Sequence, residues 1–200
     1  TVLDCNWKIA QDAFSEAYHV TTIHAGSFPE GFSARLYDVQ LFGPHRTSAV
    51  YMDDKGPTPS PVAALAHRLG TTSIAKRGER VALPPKVNPT RSPNFAFELS
   101  VLFPNFLVHI MDGLYFTHQF HPLSVDKTLW EGIQYFRPPQ NAGERFSQEY
   151  GQVLQRNAWL EDTATMEATH AALKSGAKKV MHLQDQEVLL RHHYQVVDEY

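Results

Sequence analysis

One cysteine, Cys5, stands among 200 residues. A lone thiol excludes an internal disulfide and fits a reducing, cytoplasmic setting. It also excludes an iron–sulfur cluster carried by this chain alone, because such clusters need at least two cysteine thiolates. No apolar run approaches the roughly 20 residues that span a bilayer, and the opening Thr1-Val2-Leu3-Asp4 has no basic n-region. An excess of positive charge is lacking too: 18 Lys and Arg against 21 Asp and Glu leave a formal charge of -3. That balance gives no electrostatic footprint for nucleic acid. Internal repeats and low-complexity tracts are absent. So is an initiator Met, and the chain opens directly on a patterned segment, which suggests a domain excised from a longer product.

What is present suffices for one sizeable core: 42% of the residues are hydrophobic and 12% aromatic. Eleven histidines hint at metal or proton chemistry. The spacing of Trp7, Ile9, Ala10, Ala13, Phe14, Ala17 and Tyr18 predicts a helix over Trp7–Tyr18, ended by Gly26 and Pro29. Arg35–Phe42 and Thr47–Met52 read as a hairpin around Gly43-Pro44-His45. Residues 53–94 hold seven of the 13 prolines and one short helical piece, Val62–Arg68. This stretch reads as an excursion from the core, either a lid or oligomer contact or a solvated loop. Next come alternating runs at 95–103, Phe106–Met111, Tyr115–His121 and Thr128–Phe136, separated by Pro104-Asn105, Asp112-Gly113 and the 122–126 turn. Asn141–Trp159 and Thr163–Ser175 predict helices, the second capped by Gly176, and a last helix runs from about Gln184 to Tyr200. A block of strands flanked by helices predicts an α+β fold, one domain over 1–200, with a curved antiparallel sheet wrapped around a long helix and a pocket between them.

On the first helix, Asp12, Glu16 and His19 fall within a stripe about 60° wide. An exposed acidic stripe is ordinarily a solvated face, but the surroundings here are apolar, and His24 follows five residues on. An ideal helix turns His24 about 140° from His19, so both reach one ion only if the helix ends or bulges near the β-branched run Val20-Thr21-Thr22-Ile23. Asp162 shares a helix face with Met166, His170 and Leu173. That face points Asp162 inwards, where a carboxylate without a partner is costly and a divalent cation is one remedy. Asp162 also reads as an N-cap to a helix starting at Thr163. Both readings stand open on the residues alone.

The string Asn6-Trp7-Lys8, then Phe14-Ser15-Glu16-Ala17-Tyr18-His19-Val20-Thr21-Thr22-Ile23-His24, resembles the signature of the catalytic domain of Rieske non-haem iron ring-hydroxylating oxygenase α subunits. Phe103-Pro104-Asn105, Glu161-Asp162 with Met166-Glu167, and Gln186-Glu187 with Arg191-His192 resemble later segments of the same family, in order along nearly the whole chain. The resemblance implies a helix-grip fold and a mononuclear Fe(II) held by His19, His24 and Asp162 as a 2-His-1-carboxylate triad with open positions for dioxygen. It implies that Glu16 orients His19 and bridges towards a Rieske 2Fe–2S cluster of a neighbouring subunit. Asp12 stands where the family has an amide near the iron, and as a carboxylate there it would alter local charge or add a ligand. The Rieske domain itself is missing from the chain, so iron and substrate binding is expected without turnover. The implied reaction is hydroxylation of a small apolar aromatic compound, in the catabolism of aromatic hydrocarbons. The resemblance further implies electrons supplied through a reductase or ferredoxin chain and a homotrimer for the full-length protein.

Ala13, Val20 and Ala158, next to the ligands, are the expected substrate contacts. His118 and His121 alternate across a predicted strand and point to opposite faces, so a shared metal is not expected. His182, His192 and His193 read as structural or surface residues. Two rival functions use the same residues: a metal-free small-ligand carrier on this fold, and a zinc hydrolase with tetrahedral metal and Glu16 as general base.

Overall fold

A computed structural model of the chain describes residues 1–27, 32–52, 60–70, 83–92, 94–111 and 113–200, the side chains of 32–37 and of 52 excepted. Strands β1 (Val2–Leu3), β2 (Phe32–Phe42), β3 (His45–Met52), β4 (Phe95–Leu102), β5 (Phe106–Met111), β6 (Leu114–Ser124) and β7 (Lys127–Phe136) form one 7-stranded sheet. Its order is β1-β7-β6-β5-β4-β3-β2, and every neighbouring pair is antiparallel. Helices are α1 (Trp7–Ala13), α2 (Val20–Ile23), α3 (Pro61–Leu69), α4 (Ala142–Lys174) and α5 (Val188–Glu199). Alternation selects the inner face of the sheet: Leu107, His109 and Met111 on β5 are buried, as are Leu114, Phe116, His118 and Phe120 on β6. That face meets Trp159 of α4, whose ring lies 5.0–5.9 Å from those of Phe116, His118 and Trp130. The main core joins Leu3, Ala10, Phe14, Leu99, Trp130, Met166 and Leu189, so α1, α4 and α5 all close on one sheet. This is the expected α+β helix-grip arrangement.

Three expectations are corrected. The two helices expected at Asn141–Trp159 and Thr163–Ser175 are one helix of 33 residues. The Leu160-Glu161-Asp162 junction holds no breaker, and Thr163 Oγ1 bonds back to Trp159 O at 2.9 Å without leaving the helix. Asp162 is therefore mid-helix, and its reading as an N-cap falls. The true cap is Asn141, whose side chain accepts from Glu144 N, while Glu144 accepts from Gln140 N. At the far end Gly176 takes φ 72°, as its expected capping place requires. The last helix starts at Val188 rather than Gln184, because Glu187 uses its carboxylate on Gln184 N and on Tyr18 OH. The first helix ends at Ala13, five residues short of Tyr18.

Within the excursion, Ser60 caps α3 and Pro61 opens it. Ala63 and Ala66 are buried, and a Cβ on Gly70 would come within 2.6 Å of Ser147 Cβ, so this part of the excursion is packed tightly on α4. Pro29, Asp112 and the remainder of the excursion (53–59, 71–82 and 93) lie outside the described residues.

Candidate metal centre

The segment between α1 and α2 sets the first two site residues. Phe14 N bonds to Gln11 O, Ser15 N to Asp12 O at 2.9 Å, and Ser15 Oγ to Gln11 O at 2.9 Å. These bonds take up the last carbonyls of α1 and end it. The expected stripe is broken before Glu16, not near Val20–Ile23, which is itself the helical turn α2. His19 and His24 cap the two ends of that turn. One tight turn thereby brings two rings, five residues apart, to a centroid distance of 5.2 Å. Glu16 Oε2 accepts from His19 N at 3.1 Å and holds the start of the turn.

Asp162 meets them from α4. Its Oδ1 lies 3.0 Å from His24 Nε2 and 3.6 Å from His19 Nε2, and the ligand atoms of the three residues lie within 4.8 Å of one another. Two donors each about 2.1 Å from one ion stand about 3 Å apart at right angles, so these separations fit a shared cation. The opposite edge of each ring is held by a second carboxylate. Glu16 Oε1 contacts His19 Nδ1, and Glu161 Oε2 lies 2.8 Å from His24 Nδ1. Ser27 Oγ steadies Glu161 with a 2.9 Å bond to Oε1. Carboxylates at both Nδ1 atoms favour the tautomer with Nδ1–H and a lone pair on Nε2, the form a metal ligand needs. Burial alone would lower the His24 pKa, but Asp162 and Glu161 outweigh it and raise it. His24 thus stands between two carboxylates that attract either a second proton or a metal ion at Nε2. Two imidazoles and one carboxylate oxygen, with no thiolate, suit Fe(II).

A pocket partly open to solvent adjoins these residues. Phe14, Phe97, Met111 and Phe116 make its wall apolar, and Val20 and Ala158 line it. Gln155 and His109 also line it. No motif marks either, although Gln155 shares a helix face with Ala158 and Asp162, and His109 shares strand parity with Leu107 and Met111. In the sequence Glu161 stands out only as part of the Glu161-Asp162 motif.

Ala13 is packed against the main core and does not line the pocket. Asp12, expected beside the ion, turns elsewhere: Tyr194 OH donates to its Oδ2 at 2.6 Å, and His193 Nδ1 lies 3.5 Å from its Oδ1. Nearby Arg46 is buried, which lowers its pKa to about 10 against the pull of Asp12. Gln11, with its amide nitrogen 2.8 Å from Pro104 O, accepts from Arg46 Nη2 at 2.9 Å. His121 pairs with Glu131 at the surface, while His118 is buried on the other face and accepts from Trp130 Nε1 at 3.0 Å. His192 bonds to Gly43 O at 2.9 Å, His182 is exposed and His193 is buried.

This fold and donor set define a class. The family described as ring hydroxylating alpha subunit (catalytic domain) matches residues 1–200, and the chain belongs to it. That family uses a mononuclear iron in its catalytic domain and a Rieske cluster in the other domain, and its members are oxidoreductases. No curated protein sequence matches the chain. Among solved structures, a quaternary ammonium Rieske monooxygenase superposes with TM-score 0.69 at 14% identity, over 100% of this chain and 48% of that one. Naphthalene 1,2-dioxygenase from Rhodococcus sp., bound to indole, gives TM-score 0.53 at 16% identity, over 99% and 54%. Dicamba monooxygenase bound to dicamba gives 0.61 at 14%, over 99% and 56%. The chain spans about half the length of these proteins.

Proposed function

We propose that this chain is the oxygen-activating part of a Rieske-type oxygenase, with His19, His24 and Asp162 as ligands of one ferrous ion. The observation that carries this reading is the pair of imidazole Nε2 atoms facing one buried carboxylate oxygen, with each Nδ1 fixed by a carboxylate. When bound, iron supplies dioxygen activation, with electrons from a Rieske cluster outside this chain. The protein's own part is to hold two tautomers, exclude water from the apolar pocket and seat a small substrate beside the ligands. Phe14, Phe97 and Phe116 support an aromatic substrate. Glu16, already engaged with His19, is the route by which the cluster of a neighbouring subunit is coupled to this site. Further parts of the reading are dioxygen as co-substrate, a reductase or ferredoxin chain, a cytoplasmic setting and a homotrimer of the longer protein.

The engagement of Glu16 with both N and Nδ1 of His19 counts against a zinc hydrolase, which needs that carboxylate free as a base. Elemental analysis of protein purified without added metal tests the reading. About one iron per chain is expected, and His19→Ala should lose it. Zinc in its place, no metal, or a His19→Ala protein with full iron would each overturn it.

A further inference from the structure

Of the polar pocket residues that the metal reading does not use, Gln155 and His109, only His109 is buried. It stands at the centre of β5 with only 4% of its surface exposed, at a position whose neighbours of the same parity are Leu107 and Met111. Its ring stacks on Phe116 at 4.2 Å, is edged by Phe14 and His118, and meets Phe97 at a tilt. Neither ring nitrogen has a hydrogen-bond partner among the described residues. A neutral imidazole carries one N–H and one lone pair, and leaving both dry in an apolar wall is costly. A leucine or phenylalanine would fill this place without that cost. His118, behind it, has Trp130 on its Nδ1 and an unpaired Nε2, but it does not line the pocket. Among the described residues that line the pocket, Gln155 is half-buried, so the buried and unpaired hydrogen-bonding capacity belongs to His109.

Charge narrows what such a group can recognise. Among the described residues the pocket wall contains no Lys or Arg, and Glu16 and Asp162 are its carboxylates. A carboxylate or phosphate on the ligand would find no counter-charge beyond the metal. Burial lowers the His109 pKa to about 3, so the ring is neutral at physiological pH and meets a neutral partner best.

We propose that His109 selects the substrate, and that the pocket takes a ring compound bearing an uncharged hydrogen-bonding group (O–H, N–H or carbonyl) in preference to a bare hydrocarbon. This rests on the reading of the pocket as the substrate site. A site built to hydrogen-bond a substrate discriminates strongly against the analogue that lacks the group, because its own buried polar atoms are then left unpaired.

Matched pairs of near-equal shape test it: indole against indene, and 1-naphthol against naphthalene, by calorimetric titration of the protein as purified. Wild type should bind the hydrogen-bonding member of a pair about tenfold more tightly or better. His109→Phe should bring each pair to within about twofold while keeping the affinity for the hydrocarbon, and His109→Leu is the second variant should the first misfold. Equal affinities in wild type, an unchanged preference in the variants, or no binding of any of the four compounds would overturn the proposal. Iron content measured on the same samples separates the two readings. Protein without iron that keeps the preference fails only as an oxygenase, and iron-loaded protein without the preference fails only here.

Discussion

At the scale of single residues, the site is a set of paired roles: two imidazoles face one carboxylate, and each is held from behind by another. Glu161 is the less obvious of the holders. Glu161→Ala should lower iron affinity about 10- to 100-fold by freeing the His24 ring, measured by competition with a chelator. Glu16→Gln, made in a longer version that contains the cluster, should keep most of its iron yet re-oxidise that cluster far more slowly. Stopped-flow absorbance with dioxygen and substrate reads this, and a wild-type rate would reduce Glu16 to a positioning residue. His109 has a consequence for stability. Its folded pKa, about 3, lies below the unfolded value near 6.5, so the unfolded chain binds more protons between those limits. Stability from this ring is intact above about pH 6.5 and is lost as pH falls towards 3, by up to about 1.4 kcal/mol per pH unit. His109→Phe should flatten the acid limb of stability in that window, as measured by urea unfolding at several pH values. An unchanged slope would mean that the ring is solvated.

At the scale of elements, the sheet and its meander were readable because alternation and turn residues mark them directly. The edges of helices were not. Ser15 and Phe14 end α1 through bonds to Gln11 and Asp12 that no periodicity displays, and the end of α1 separates Asp12 from Glu16. Likewise nothing in Leu160-Glu161-Asp162 announces whether two helical patterns join. Here tertiary contact decides: Gly132 of β7 admits Trp159, and a Cβ there would lie 2.8 Å from the indole. Because Trp159 stands one turn before Asp162, this contact sets the depth of the ligand. Gly132→Ala should destabilise the fold by about 1–3 kcal/mol through overpacking and weaken iron binding with it. Unfolding and metal titrations check both. Full iron affinity in a destabilised variant would show that α4 shifts without carrying Asp162.

At the scale of the whole molecule, the metal site joins segments from both ends of the sequence, α2 with α4, over a sheet built between them. Its candidate ligands came from the motif resemblance, while spacing alone left both readings of Asp162 open. The partners Glu161 and His109 were not legible, since their roles come from what α4 and β5 face only after folding. Supplied with NAD(P)H and a reductase, this chain alone should bind iron without oxidising NAD(P)H in turnover, while a version joined to a Rieske domain should hydroxylate. The most direct test of the metal centre is anomalous diffraction at the iron edge from crystals of the chain loaded anaerobically with Fe(II). One peak within bonding distance of His19 Nε2, His24 Nε2 and Asp162 Oδ1 is the expected result. A peak elsewhere, or none between these three atoms, would contradict it.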